Sequence, residues 1–359
     1  MSKSLGLTEG MMSNTVVYSA INTKIRVLER NFLRKKDYQN LLKMATVSDA
    51  AAYLKENTYY SNLLTTIDTD IVSRRDIEGI FKVSMAGNID KLIYFFHNDY
   101  KKLIHFFFLK YEIEDLKSLA RRIFNGQDPQ EIKKSLFFLG KFSKTDAERL
   151  MEAKTIRDLI YSLKGAYFYE FLIPLVDGRR ENLFRFEMAL DFSYFSNIQR
   201  RKLRISSRDS FLIKEYEGLL ADLYNIQWIY RGKKFYQLSP AELLNYTINF
   251  GVQLTYQDRQ KMCYATSLGN LYRLTLNSAY GFLFKKEEIS TDIYMERRIN
   301  NYIYYQLRKL NHKFPLSIMQ TINYIWTFEL EIKNIISIIE SIRYNLTAQD
   351  AVKFVVKVV

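Results

Sequence analysis

Phe328-Glu-Leu-Glu-Ile-Lys-Asn-Ile-Ile-Ser-Ile-Ile-Glu-Ser-Ile342 is the stretch whose reading decides the fold. Leu330, Ile332, Ile335, Ile336, Ile338, Ile339 and Ile342 recur mostly three and four apart, a helical stripe wide enough to be buried on more than one side. Glu331 and Asn334 are three apart and share a face of that helix. The same order of acid, apolar, any residue, Asn, apolar stands at Asp222-Leu-Tyr-Asn225-Ile226. A related order, with Ser118 in place of Asn, stands at Asp115-Leu-Lys-Ser118-Leu119. The three acids are spaced 107 and then 109 along the chain.

A period of this length calls for a search for internal repeats. Leu41, Thr46, Asp49, Leu54, Lys55, Tyr60 and Leu63 are matched, at a constant shift of 109, by Leu150, Thr155, Asp158, Leu163, Lys164, Tyr169 and Leu172. A sparser third copy, Leu274, Asn277, Tyr280 and Leu283, matches Leu54, Asn57, Tyr60 and Leu63 at a shift of 220. Between these markers, Asp76-Ile-Glu78, Arg185-Phe-Glu187 and Tyr294-Met-Glu296 repeat at 109 and 109. Three markers in one order predict an all-α chain of three homologous helical domains, each domain-sized rather than solenoid-sized. The expected layout is a tail and lead-in helix over 1–31, then repeats over 32–140, 141–250 and 251–359. The three domains would stand about a pseudo-threefold axis or in a row.

Along the chain, residues 1–13 are small and polar and expected to fray. A first helix starts near Val16. Ser48-Asp49 reads as a helix cap. Gly126 to Pro129 ends the first motif helix. Glu181 to Asn197 reads as a helix with Glu187 and Asp191 on one face. Paired carboxylates can do acid–base chemistry, but an ion pair with nearby Arg is the simpler expectation. Arg200, Arg201, Lys202, Arg204 and Arg208 read as one basic loop, and Arg231-Gly-Lys-Lys234 as another. Ser239-Pro240-Ala241-Glu242 is a helix start, mirrored by Asn345 to Asp350, where Leu346-Thr-Ala-Gln-Asp350 stands against Leu238-Ser-Pro-Ala-Glu242. Asp292 to Leu310 reads as a long helix closed by Pro315.

Composition narrows the function classes. A net charge of +14 implies an acidic partner surface, a nucleic acid or an anionic membrane face. The 13 Gly and 4 Pro are too few for an all-β fold rich in tight turns. A single cysteine, Cys263, excludes an internal disulfide framework and a Cys-rich metal site. No run reaches the roughly 20 apolar residues of a membrane-spanning helix, and the N-terminus lacks the apolar run of a secretion signal. There is no Gly-rich phosphate loop, nucleophile elbow or metal-spaced His cluster. The residues describe a non-catalytic interaction protein without cofactor or metal. The candidate structural or interface residues are Asp115, Asp222, Asn225, Arg231, Glu331, Asn334, Glu187 and Asp191. Asp115, Asp222 and Glu331 are expected at equivalent places in the three domains; a solvated helix face is the rival reading.

Four stretches, Tyr18 to Leu33, Glu187-Met-Ala-Leu-Asp191-Phe-Ser-Tyr194, Asn225 to Lys233 and Glu331-Ile-Lys-Asn334-Ile, taken in order with the repeat, resemble the C subunit of the bacterial and archaeal V/A-type rotary ATPases, called the d subunit in eukaryotes. Ser118 and the sparse third copy of the Asp49 segment depart from the pattern. The resemblance implies a funnel of three helical domains, monomeric within its complex, on the cytoplasmic face of the membrane proteolipid ring. It implies a central-stalk role, coupling the shaft of the ATP-hydrolysing head to the ring and so to H⁺ or Na⁺ transport. A basic helical nucleic-acid-binding protein is the alternative, with dispersed cations for phosphates and tyrosines for stacking; 39 acidic residues weigh against it.

Overall fold

The computed structural model describes residues 18–65, 68, 72–130, 133, 136–143, 145–177, 182–200, 203–284 and 292–356. The tail over 1–13 and the start of the first helix lie outside them. Among the described residues every regular element is helical. Helix α1 covers 18–29. Three successive sets follow. The first is α2 (Lys35–Leu41), α3 (Val47–Asn57), α4 (Ser61–Leu64), α5 (Arg74–Ile93) and α6 (Asn98–Phe124). The second is α7 (Ala147–Met151), α8 (Ile156–Ser162), α9 (Tyr169–Leu172), α10 (Leu183–Arg200), α11 (Ser207–Lys234) and α12 (Pro240–Tyr246). The third is α13 (Tyr256–Cys263), α14 (Leu268–Leu276), α15 (Asp292–Lys313), α16 (Met319–Arg343) and α17 (Ala348–Ala351).

Local chemistry sets these boundaries. Thr46 with Asp49, Ser73 with Asp76, Thr155 with Asp158 and Thr255 with Asp258 form reciprocal capping boxes at α3, α5, α8 and α13, so each pair satisfies two N–H groups that a helix start leaves orphaned. The cap of α3 is therefore Thr46, with Asp49 as the reciprocal partner, rather than Ser48-Asp49. Ser239 and Thr347 cap α12 and α17 as the mirrored spacing suggests. The three long helices carrying the acidic motif stop alike. Gly126, Gln237 and Asn345 adopt φ of 65°, 49° and 52°, the left-handed residue that turns a chain out of a helix. The amides of Gln127 and Leu346 reach back to the carbonyls of Arg122 and Ser341 at 3.0 and 2.9 Å. Arg231, Lys233 and Lys234 are inside the last turns of α11 rather than in a loop. Arg200 and Arg208 likewise belong to helices.

The chain divides by contact into two compact units that cut across the sequence repeat: Met1–His97, Ser206–Lys214 and Phe282–Val359 form one, Asn98–Ile205 and Glu215–Gly281 the other. In the first unit α16 is the core element, packed on α5 and α15. Its Phe328, Leu330, Ile335, Ile338 and Ile339 are buried with Ile77 and Phe81 of α5. In the second unit α6 packs on α10. There Phe106 stacks on Tyr194 with ring centroids 5.2 Å apart, and Phe108 and Tyr111 meet Phe138 and Phe142. The aromatic run of α6 is thus core.

Candidate functional site

The acidic motif lies where a long helix is enclosed on all sides. Glu331, Asp222 and Glu112 are each 0 % exposed. A carboxylate can be kept there only if donors converge on it. Glu331 accepts from the Leu33 N–H at 2.7 Å and the Tyr38 hydroxyl at 3.3 Å, and the Tyr60 hydroxyl also donates to it. Asp222 accepts from the N–H groups of Val252, Gln253 and Leu254 at 3.0, 2.7 and 3.2 Å and from the Tyr280 hydroxyl at 2.8 Å. Glu112 accepts from the N–H groups of Gly140, Phe142 and Ser143 at 2.9, 3.0 and 2.8 Å, from the Thr145 hydroxyl at 3.0 Å and from the Ser143 hydroxyl. In the first two copies the acid takes backbone N–H groups where the next segment opens, and the third takes the Leu33 N–H at the opening of the first.

The residue three positions on behaves equally regularly. Asn225 accepts the Ile248 N–H at 2.7 Å and donates to the Ile248 carbonyl at 3.0 Å. Asn334 does the same with Val356 at 2.8 and 2.9 Å. In the first copy this place belongs to Asp115, which accepts the Phe138 N–H at 2.7 Å. The expectation that Asp115 is the counterpart of Asp222 and Glu331 is therefore corrected by one helical turn. Glu112-Ile-Glu-Asp115 is the first motif, which spaces the acids 110 and then 109 along the chain, and Asp115 matches Asn225 and Asn334. Ser118, read as the Asn equivalent, only donates to the Glu114 carbonyl of its own helix. Holding the shift constant near 109 would have selected Glu112; Asp115 displaced it because both sit on one helix face.

The hydroxyl partners follow the same logic. Tyr60 precedes α4 and Tyr280 precedes a short 3₁₀ turn, each buried. The second segment places Phe168, not Tyr169, immediately before α9, and Phe168 is fully buried. Phe168 brings no hydroxyl, and Glu112 uses Ser143 and Thr145 instead. Two glycines, 111 apart, admit this geometry. A Cβ on Gly251 would stand 1.9 Å from Asp222 Oδ1. Gly140 has φ +75°, and a Cβ there would stand 2.5 Å from the Thr145 carbonyl oxygen.

Burial dominates the electrostatics. It pushes the Glu331 carboxyl up to about 7, against the opposing pull of hydrogen bonds from Tyr60, Leu33 and Tyr38. It raises Asp222 as well, opposed by the donors Gln253, Tyr280, Leu254 and Val252. Sequence reading missed Glu217, a buried residue of α11 that meets the Tyr194 hydroxyl at 3.2 Å and is pushed up to about 8 by burial. Glu187 and Asp191 face α6: Glu187 pairs with Arg121 at 2.7 Å and Asp191 with the buried Lys117 at 2.6 Å, while Lys117 also meets Glu114 at 2.8 Å. Burial pulls the Lys117 ammonium down, but Asp191 and Glu114 more than offset it and hold it above its ordinary value. Arg231 is exposed near the end of α11, away from these clusters along the helix. Among the described residues no group of three His, Cys, Asp or Glu could hold a metal ion. These buried acids bind backbone and hydroxyl donors, which is a structural use of the carboxyl group.

A family model described as ATP synthase (C/AC39) subunit matches residues 21–353. The chain is 23% identical over 348 residues to the C subunit of the A-type ATP synthase of Methanocaldococcus jannaschii, covering 95% of this chain and 86% of that one. It is 24% identical over 313 residues to the corresponding C subunit of Methanosarcina mazei, covering 86% and 84%. The C subunit of the A-type ATP synthase of Pyrococcus horikoshii is 22% identical over 325 residues, covering 89% and 84%.

Proposed function

Because this chain belongs to the ATP synthase (C/AC39) subunit family, we propose that it is a non-catalytic central-stalk subunit of a V/A-type rotary ATPase. It couples the rotating shaft of the ATP-hydrolysing head to the membrane proteolipid ring, and so to H⁺ or Na⁺ transport. It acts as one copy per complex, on the cytoplasmic face. Residues 32–140, 141–250 and 251–359 are its three homologous segments.

The observation that carries this reading is the succession of buried carboxylates. Glu112 engages the segment that follows it, Asp222 the next, and Glu331 the first. A spacer under torque must pass load between segments without slipping. Enclosed hydrogen bonds to a carboxyl group do this better than exposed ion pairs, which contribute little and are screened. The pair of buried Lys117 with half-buried Asp191 adds a further tie between long helices. Rotary complexes purified with and without the chain test the reading. The expected result is co-purification with shaft and ring, and, without the chain, ATP hydrolysis that no longer drives ion transport. Undiminished coupling without the chain would overturn it.

A further inference from the structure

The N-terminal end of α11 and the start of α16, just past the end of α15, meet through Asp209. This carboxylate is buried and accepts from the Tyr18 hydroxyl and the Ser206 hydroxyl, both at 2.8 Å, and from the Ile318 N–H at 3.0 Å. Asn22 of α1 donates to the Pro315 carbonyl at 2.7 Å and ties α1 to the same corner. Asp209 is the sole acid in 18–24, 206–214 and 309–318, and it is consumed inside. Of the cations in those segments, Lys24 is half-buried and the other four are exposed. Arg208, Phe211 and Lys214 are exposed at three-residue spacing, one face of α11, with Phe211 55% exposed. Lys309 and Lys313 are exposed four apart on α15, and Leu316 beyond its end is 40% exposed.

Two separate apolar side chains, each flanked by Lys or Arg and with no exposed acid in the three segments, match the composition of an interfacial membrane contact. A partner protein with mixed charge would meet only repulsion from its own cations here and no acids to pair with them. No helix among the described residues is long and apolar enough to cross a membrane. We infer that this corner rests on an anionic lipid surface, with Phe211 and Leu316 entering the headgroup layer and Arg208, Lys214, Lys309 and Lys313 facing lipid phosphates. The inference goes beyond the coupling role and stands apart from it, because lipid vesicles contain none of the other ATPase components.

Flotation of the purified full chain with phosphatidylcholine vesicles, with and without about 30% phosphatidylserine, tests it. Binding is expected only with the anionic lipid and should fall steeply as salt rises from about 0.05 to 0.5 M. Arg208→Glu with Lys313→Glu should weaken it about ten- to hundredfold, and Phe211→Ser with Leu316→Ser several-fold. Lys43→Glu with Lys261→Glu makes the same change in net charge elsewhere, and should cost less than about threefold. If the first pair fails to fold by circular dichroism, Arg208→Ala with Lys313→Ala replaces it, with a loss of about tenfold expected. Three results would overturn the inference: equal binding to neutral vesicles, equal losses in the two reversed pairs, or self-association abolished by Phe211→Ser with Leu316→Ser, which assigns the face to a second copy.

Discussion

The Tyr60 hydroxyl donates to the Glu331 carboxylate from 271 residues earlier in the chain, and neither side chain reaches solvent. The same carboxylate holds the Leu33 N–H from 298 residues away. Covalent continuity places Glu112 and Asp222 within about thirty residues of their backbone donors. The third copy has no such help, so its geometry depends wholly on packing and on this carboxylate.

Glu331→Ala should therefore be among the most damaging single changes. It leaves the Leu33 N–H and the Tyr60 and Tyr38 hydroxyls without their acceptor, and each buried unsatisfied donor costs about 1–3 kcal/mol. Tyr60→Phe removes one donor and should cost about 1–2 kcal/mol. Urea unfolding midpoints of the two variants measure this. Midpoints equal to that of the parent would show that the carboxylate is incidental.

Stability should fall as pH rises from about 5 to above 8. The sign follows from the raised carboxyls. Folded Glu331 keeps its proton to about 7 and folded Glu217 to about 8, whereas the unfolded chain loses both near 4.5. Over that window the native state binds more protons, and stability declines with pH. Below it, Asp76 and Asp258, lowered chiefly by hydrogen bonds from Ser73 and Thr255, lose their contribution as they protonate. Glu217→Gln removes the higher of the two titrations and keeps an acceptor for Tyr194. Denaturant midpoints at pH 5, 6.5 and 8.5 should then decline less in the variant. A parent midpoint that rises with pH would refute the assignment.

Two glycine substitutions should act in opposite directions. Gly251→Ala drives a methyl group to 1.9 Å from Asp222 Oδ1. The carboxylate must leave its four donors, and a loss of about 3 kcal/mol or more is expected. Gly87 lies inside α5, and a methyl group there would have nothing within 4 Å, so Gly87→Ala should stabilise by about 0.5–1 kcal/mol. Thermal midpoints compared side by side report both signs.

Helix type was legible in the sequence because it rests on local chemistry, and so was the repetition of Thr46 and Asp49 as Thr155 and Asp158. Their role as capping boxes was not: Ser48-Asp49 was the expected cap of α3, and only the backbone shows which hydroxyl meets the N–H of Asp49 and Asp158. Glu187 and Asp191 were legible as one face, though not Lys117 as the partner, since pairing between helices depends on packing. The donors of Glu331 were not legible at all: Leu33 contributes a backbone N–H, which leaves no mark in residue identity. Phe168 and Tyr169 exchanged places for a related reason. Both are aromatic neighbours, and only the turn before α9 decides which points inward.

If Asp115 is the counterpart of Asn225 and Asn334, Asp115→Asn should be tolerated. The amide oxygen still accepts the Phe138 N–H, and the new N–H₂ can donate to the Phe138 carbonyl as Asn225 does to Ile248 and Asn334 to Val356. A change within about 1 kcal/mol, on the stabilising side, is expected. The converse, Asn225→Asp, loses the donor to the Ile248 carbonyl and sets a second buried charge one turn from Asp222, for a cost of about 3 kcal/mol. Ser118→Asn separates the two registers. Had Ser118 stood in the Asn place, this change would complete the motif and stabilise the fold. Since Ser118 bonds only to its own helix, it should shift stability by less than about 0.5 kcal/mol. Unfolding free energies of the three variants measured together decide the register: a gain from Ser118→Asn with a loss from Asp115→Asn would restore Asp115 as the acid of the first copy.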